Sequence, residues 1–484
     1  MNDEIETVNK ATIESFIVNN YALSQIEAHL NRFNPIKIMK MENLKSSKHL
    51  IILFWIALLN FYYSTLGEAA EIIVNQSCTL VDAIHAANTD SVFGNCSAGD
   101  GGDVITVENQ DTTIEVNVGL FASVIQSGVM TAFPPITSEV TINGNGLQVL
   151  ADSSKNHFRV FEFFHTSNQR LILNGVTIFG ANEGSGTGSA LFSMGGNLTL
   201  KNCQFEQNHG AVLLLETLDA IIEDTVFVNN WADQGEQFSP ALELIGVSLT
   251  MKRNSLINNQ VNIISNSVII SDQQPGGAVS ITSPFSGPIK MYNNTISGNQ
   301  AVTGGGVSIR DQSQLFSQQG IPAPVELRFN TITNNTALFA GGVAIHDVNS
   351  LVKFSHNLIV GNVAAEDEGR EVWLTVSSDL EMDDYNVIGM HLLTTAFVDV
   401  FGNDDLLTSQ LPEEVFGSLQ QLNQWWYHPL LAGSDAIDVG TSDCFLSTDQ
   451  LNQPRLIDGD ADGQSFCDAG SYEFQDIIFN DGFE

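Results

Sequence analysis

Three apolar phrases, Val279-Ser-Ile281, Val307-Ser-Ile309 and Val343-Ala-Ile345, are each followed by polar residues; aligned on one another, they put Thr282, Arg310 and His346 in one row. The next row is Ser283, Asp311 and Asp347. A guanidinium, an imidazole and two carboxylates brought close together are what general acid–base chemistry requires, so Arg310, Asp311, His346 and Asp347 are the candidate catalytic residues. The competing reading is a solvated turn at a strand end, whose exposed ion pairs contribute only about 0–1 kcal/mol each. No histidine pair has metal spacing and no nucleophile elbow is present, so the balance leans toward a chain without catalysis. His85, His157, His165 and His428 are read as structural.

A second constellation is Asp458-Gly-Asp460-Ala-Asp462-Gly463, with Asp468 shortly after. Carboxylates at alternate positions followed by a glycine suit a hard cation such as calcium, which takes oxygen ligands from a sharply turning loop. A complete EF-hand would carry glutamate where Ala469 stands. The expectation is therefore a structural calcium ion held by Asp458, Asp460, Asp462 and Asp468, and no other cofactor.

The elements that must position these groups follow from a phrase repeated six times, an apolar residue, two spacers and asparagine. It ends at Asn208, Asn230, Asn259, Asn299, Asn335 and Asn362. Short runs alternating apolar and polar residues precede the copies (Leu198-Thr-Leu-Lys, Leu249-Thr-Met-Lys, Ile289-Lys-Met-Tyr, Val325-Glu-Leu-Arg), the period-two signature of a strand with one buried face. Asparagine suits the corner because its carboxamide mimics a turn and it tolerates left-handed backbone angles. Stacked at the roughly 4.8 Å spacing of neighbouring strands, such amides can hydrogen-bond along the stack. A second series, Asn254, Asn294, Asn330 and Asn357, sits five residues earlier, with Cys203 and Thr225 in the first two copies. Constant strand phrases with elastic connections predict an all-β parallel β-helix, a solenoid that expels insertions at its corners.

Composition agrees. Only 15% of the 484 residues are charged and 43% are hydrophobic, as in an ordered strand-rich chain. Past residue 70 there are 12 basic and 49 acidic residues. That imbalance repels nucleic acid and argues against it as a partner. Lys45 and Lys48 precede an apolar core from Leu50 to Tyr63 and the small residues Gly67, Ala69 and Ala70, which reads as a signal peptide over 41–70. Export would leave no integral membrane domain in the mature chain. Residues 1–40 read as a helical extension or a misassigned start. Disulfides Cys78–Cys96 and Cys444–Cys467 are expected to close caps at the two ends of the rod, with Cys203 a buried free thiol.

Three phrases carry a family resemblance. Cys78-Thr-Leu-Val-Asp-Ala-Ile-His-Ala-Ala-Asn88 resembles the CSLREA-type motif of secreted β-helix proteins, with Val81-Asp82 departing from its usual pair, and residues 134–146 look like the first full coil of the same proteins. The segment His428-Pro-Leu-Leu-Ala-Gly-Ser-Asp-Ala-Ile-Asp-Val-Gly440, with Cys467-Asp-Ala-Gly-Ser-Tyr-Glu473, is similar to the choice-of-anchor Q domain. The asparagine phrases with Gly276-Gly-Ala-Val and Gly305-Gly-Val-Ser resemble repeats of polymorphic outer-membrane adhesins. The resemblance implies a right-handed, pectin-lyase-like solenoid, secreted or displayed by a Gram-negative bacterium. It divides the chain into a cap and first strands (71–135), the β-helix (136–400), the anchor-like region (401–474) and a tail (475–484).

The function expected is that of a non-catalytic, adhesin-like or glycan-binding monomer, meeting a polysaccharide or another component of a cell envelope or cell surface. The alternative is a carbohydrate-active enzyme, a polysaccharide lyase or glycoside hydrolase. Trp231, Trp373, Trp425 and Trp426 are its candidate sugar platforms.

Overall fold

The computed structural model describes residues 69–152, 157–165, 168–184, 188–233, 239–246, 248–262, 276–282, 287–310, 324–346, 351–365, 371–374, 380–389 and 404–475. The signal-like and preceding residues 1–68, the tail from 476, and Asp311 and Asp347 lie outside them.

The chain forms long parallel sheets, one of twenty strands and one of eight. Successive passages of chain lay down strands in register, and the larger sheet comprises two stacks joined by the long strands Val140–Ala151 and Arg170–Phe179. In one passage Asp219–Glu223 enters the first stack, Val226–Val228 the second and Leu242–Ile245 the third, which is the eight-stranded sheet. Each pairs with the equivalent strand of the next passage, Ser248–Lys252, Ser255–Ile257 and Val279–Thr282.

The alternation foreseen in the sequence sets which rows face inward. Leu200, Ile222, Met251, Met291, Leu327 and Phe354 align in the first stack. Phe205, Phe227, Leu256, Ile296, Ile332 and Ile359 align in the second. Leu213, Leu242, Val279, Val307 and Val343 align in the third. These side chains are buried in one continuous hydrophobic cluster. Burying each fully is worth roughly 1.5–3 kcal/mol.

Between the first and second stacks, and again after the second, stand the two asparagine ladders. Asn208, Asn230, Asn259, Asn299, Asn335 and Asn362 pass a hydrogen bond from each Nδ2 to the next Oδ1 at 2.8–3.0 Å. The same Nδ2 also donates to a main-chain carbonyl of the preceding passage, as Asn299 does to Leu256 at 2.9 Å. Each Oδ1 additionally accepts the main-chain N–H of the asparagine before it, as Asn299 accepts from Asn259 at 2.9 Å. The carboxamide of an internal member therefore uses all four of its bonds. The second series behaves alike and includes Asn386, which the sequence reading omitted.

Both ladders end on a carboxylate. Asn362 donates to Glu371 at 2.6 Å and Asn386 to Asp405 at 2.9 Å, so an acceptor-only group terminates each file of donors.

One expectation about these corners is corrected. The left-handed backbone angle belongs to the residue before each ladder asparagine: Gln207, Asn229, Asn258, Gly298, Asn334 and Gly361 in one series, and Arg253, Asn293, Phe329, His356 and Tyr385 in the other. The ladder residue is retained for its carboxamide; the turn strain falls on its neighbour.

The helix Leu80–Thr89 covers the start of the stacked strands. Thr79 caps it by accepting the N–H of Asp82 at 3.1 Å, and Leu80, Ala83, Ile84 and Ala87 join the core. The disulfide Cys78–Cys96 ties down both of its flanks. The second disulfide, Cys444–Cys467, also forms, but it does not close the far end of the stacks. It staples a segment that runs back along the side of the second stack, where Ser471 donates to Thr331 and Gly470 to the His356 carbonyl. The reason is chemical: hydroxyl side chains face outward on that stack and attract polar partners from the returning chain.

Candidate functional site

The third stack carries the row from which catalysis was considered. Pairing sets Thr282 against Arg310 and Arg310 against His346, as the alignment anticipated. Arg310, however, is only 6% exposed, so the reading of it as part of a solvated turn is corrected. Its charge acts on Glu243, an acid that sequence reasoning passed over inside the apolar run Ala241-Leu-Glu-Leu-Ile245. Glu243 is 3% exposed and accepts from Ser239 N–H at 3.1 Å and Ser280 Oγ at 3.0 Å, with Thr282 adding a third hydrogen bond.

Burial pushes the Glu243 carboxyl up to about 7, against the pull of those donors and of the Arg310 charge. One rung further, the Ser308 hydroxyl is fully buried and has no hydrogen-bond partner. An acid poised near neutrality within reach of a guanidinium's charge is chemically capable of proton transfer. Its row is closed, for Phe192, Glu243, Ser280, Ser308 and Ala344 are all buried.

The expected calcium ligands do not converge as a set. Oxygens of Asp438, Asp458 and Asp460 come within 4.8 Å of one another, and Asp438 was absent from the sequence reading. Asp462 turns to its own loop, accepting Gln464 N–H at 2.8 Å. Asp468 is buried elsewhere and accepts N–H groups of Asp438 at 2.8 Å and Phe474 at 2.6 Å. Its pKa rises through burial and the neighbouring Glu473 charge. Of the converging trio, Asp458 Oδ1 is buried without a hydrogen-bond partner, an oxygen a hard cation could satisfy.

The returning segment from residue 404 to 475 makes the most extensive polar contact. Trp426 N–H donates to Ser255 at 3.0 Å, Thr295 donates to Gln450 at 2.5 Å, and Ser297 bonds His428 Nε2 at 2.9 Å. At its centre lies Arg455, fully buried, which donates to Glu473 at 2.9 Å, Asn293 at 2.9 Å and the Gly470 carbonyl at 2.8 Å. Its guanidinium also sits 4.2 Å from the centroid of Phe329. His428 is thus a docking residue, consistent with its structural reading. Trp426 packs on Val226, Val228 and Ile257, and Trp425 reaches Asp224 at 3.4 Å, so both are part of this attachment. Trp373 stacks on Phe339.

Among the described residues, what remains open is the corner just past the outer ladder and the part of the first stack's outward face that Phe445 does not reach, for that ring covers Tyr292 and Arg328. The first stack carries Arg170, Lys201, Lys252, Lys290, Arg328 and Lys353, half of the twelve basic residues beyond residue 70. They alternate with acids: Lys201 lies 3.2 Å from Glu223, Arg170 3.4 Å from Asp219, and Lys290, Glu326 and Lys353 occupy successive rungs. At the corner Trp231 is 38% exposed. Among the described residues no helix is long and apolar enough to cross a membrane. No family model, curated protein or solved structure matches this chain.

Proposed function

We propose that the chain is an exported, non-catalytic, right-handed parallel β-helix protein that binds saccharide at its uncovered surfaces, in the manner of an adhesin. One observation carries the reading: among the described residues the protein's own C-terminal segment covers the outer face of the second stack and reaches Tyr292 and Arg328 of the first, and the outward row of the third is buried, so recognition falls to the rest of the first stack and the ladder corner. Such faces are long, straight and studded with polar groups at rung spacing, which suits an extended polymer. The CSLREA-like phrase at Cys78 and the anchor-like phrase at His428–Gly440 support export, as do two disulfides, which persist in oxidising compartments. A calcium ion at Asp438, Asp458 and Asp460 would stiffen the returning segment, with Asp458 supplying the buried oxygen.

The second reading, a carbohydrate-active enzyme, is favoured by Glu243 within reach of the Arg310 charge. Incubating mature protein with insoluble neutral and acidic polysaccharides separates the two. Retention on the solid without new reducing ends or unsaturated products is expected; turnover that Glu243→Gln abolishes would reverse the ranking.

A further inference from the structure

We propose that the corner following the outer ladder is a subsite for neutral oligosaccharide, with Trp231 as its platform; this rests on the saccharide-binding reading above. The residues immediately after the ladder asparagines form their own file of parallel bridges, running His209, Trp231, Gln260, Gln300 and Thr336, with Asn182 pairing with His209 ahead of the first ladder member. Because the ladder fixes each asparagine, it also fixes the residue after it, and these side chains stand on successive rungs about 4.8 Å apart. From Trp231 to Thr336 the file covers about 14 Å along the stacking direction, room for a short run of sugar rings.

The chemistry of the file matches a sugar. Trp231 is an exposed aromatic held from behind, its ring 3.9 Å from that of His209, which is itself 3.3 Å from Asp233. A fixed indole offers an apolar surface to the C–H face of a pyranose at little entropic cost. Trp231 differs in this from the chain's other described tryptophans, which are spent on packing. Beyond it, the carboxamides of exposed Gln260 and half-buried Gln300 each present a donor and an acceptor, the pairing that vicinal hydroxyls require. Asp233, its side chain 52% exposed, adds an acceptor-only group on the near side. That carboxylate and the net charge of −38 disfavour polyuronates and other polyanions, so the ligand is a neutral glycan lying along the file.

The test is calorimetric titration of the mature chain with soluble glucose-, mannose- and N-acetylglucosamine-built oligosaccharides, with polygalacturonate oligomers as the acidic probe. At least one neutral series should bind. Trp231→Ala should then weaken it about tenfold or more, the loss expected of a truncated aromatic anchor, while Trp231→Phe keeps most of the affinity. The melting curve of Trp231→Phe should match the parent, and that of Trp231→Ala should show a folded protein at the titration temperature, since Trp231 lies at the surface with its ring backed by His209. Binding unchanged in Trp231→Ala would overturn this subsite and leave the saccharide-binding reading standing. Binding of no saccharide would overturn both, and a preference for polygalacturonate would overturn the ligand class.

Discussion

Glu243→Gln should stabilise the protein at alkaline pH and leave it nearly unchanged in acid. Burial raises the carboxyl from its ordinary 4.5 to about 7 in the folded chain. A raised acid favours the folded state while it holds its proton, so its penalty is absent below about 4.5, grows between 4.5 and 7, and is complete above 7. The difference of about 2.5 units corresponds to about 3 kcal/mol at 1.36 kcal/mol per unit. Unfolding entropy of about 2.1 cal/mol/K per residue over the roughly 330 described residues converts this to a rise in Tm of roughly 4–5 °C. Scanning calorimetry of parent and variant at pH 4 and pH 8 reads the effect. The reasoning predicts superimposed transitions at pH 4 and a variant melting several degrees higher at pH 8. If Glu243→Gln lowered Tm at pH 8, Glu243 would be an ionised partner of Arg310 and the argument would be refuted.

Four further outcomes follow from the same geometry. Asn299→Ala deletes four buried hydrogen bonds, with each stranded group costing about 1–3 kcal/mol, so it should depress the denaturant midpoint far more than Thr336→Ala at the exposed neighbouring file. Arg455→Met leaves Glu473 and Asp468 buried without their cation, a loss of about 3–5 kcal/mol; limited proteolysis should then cut between residues 404 and 475 while the stacked strands survive. Cys203, buried and with its thiol pushed up to about 11, should resist alkylation in native protein at pH 8 and react only on unfolding. Calcium bound at Asp438, Asp458 and Asp460 should raise Tm relative to chelator-treated protein, and Asp438→Asn should erase the difference; identical melting in chelator would remove the ion from the account.

The stacked strands and ladders were legible because their signal is local and repeated. An apolar residue three positions before asparagine reports an inward side chain and a corner amide together, and every copy reports the same geometry. What escaped notice depends on contacts between distant stretches. Asp438 joins Asp458 and Asp460 only because the chain returns on itself across residues 441–457, so the motif at 458–463 suggested Asp462 and Asp468 instead. Likewise Cys444 and Cys467 announced a bridge but not where it lies, since that depends on Ser255, Thr295 and Thr331 offering hydroxyls to the returning segment. Glu243 was hidden by the very alternation that revealed the strands: on a face assumed to be solvated, a glutamate is unremarked, and here that face is buried.

The claim on which the functional account turns is that this protein is displayed outside the cell. Sequencing the N-terminus of protein recovered from each fraction of its native cells tests that claim directly. The account predicts a chain beginning near Glu71 in the envelope or culture medium, with Cys78–Cys96 and Cys444–Cys467 oxidised. A chain retaining residues 1–70 with reduced cysteines in the cytosolic fraction would contradict it.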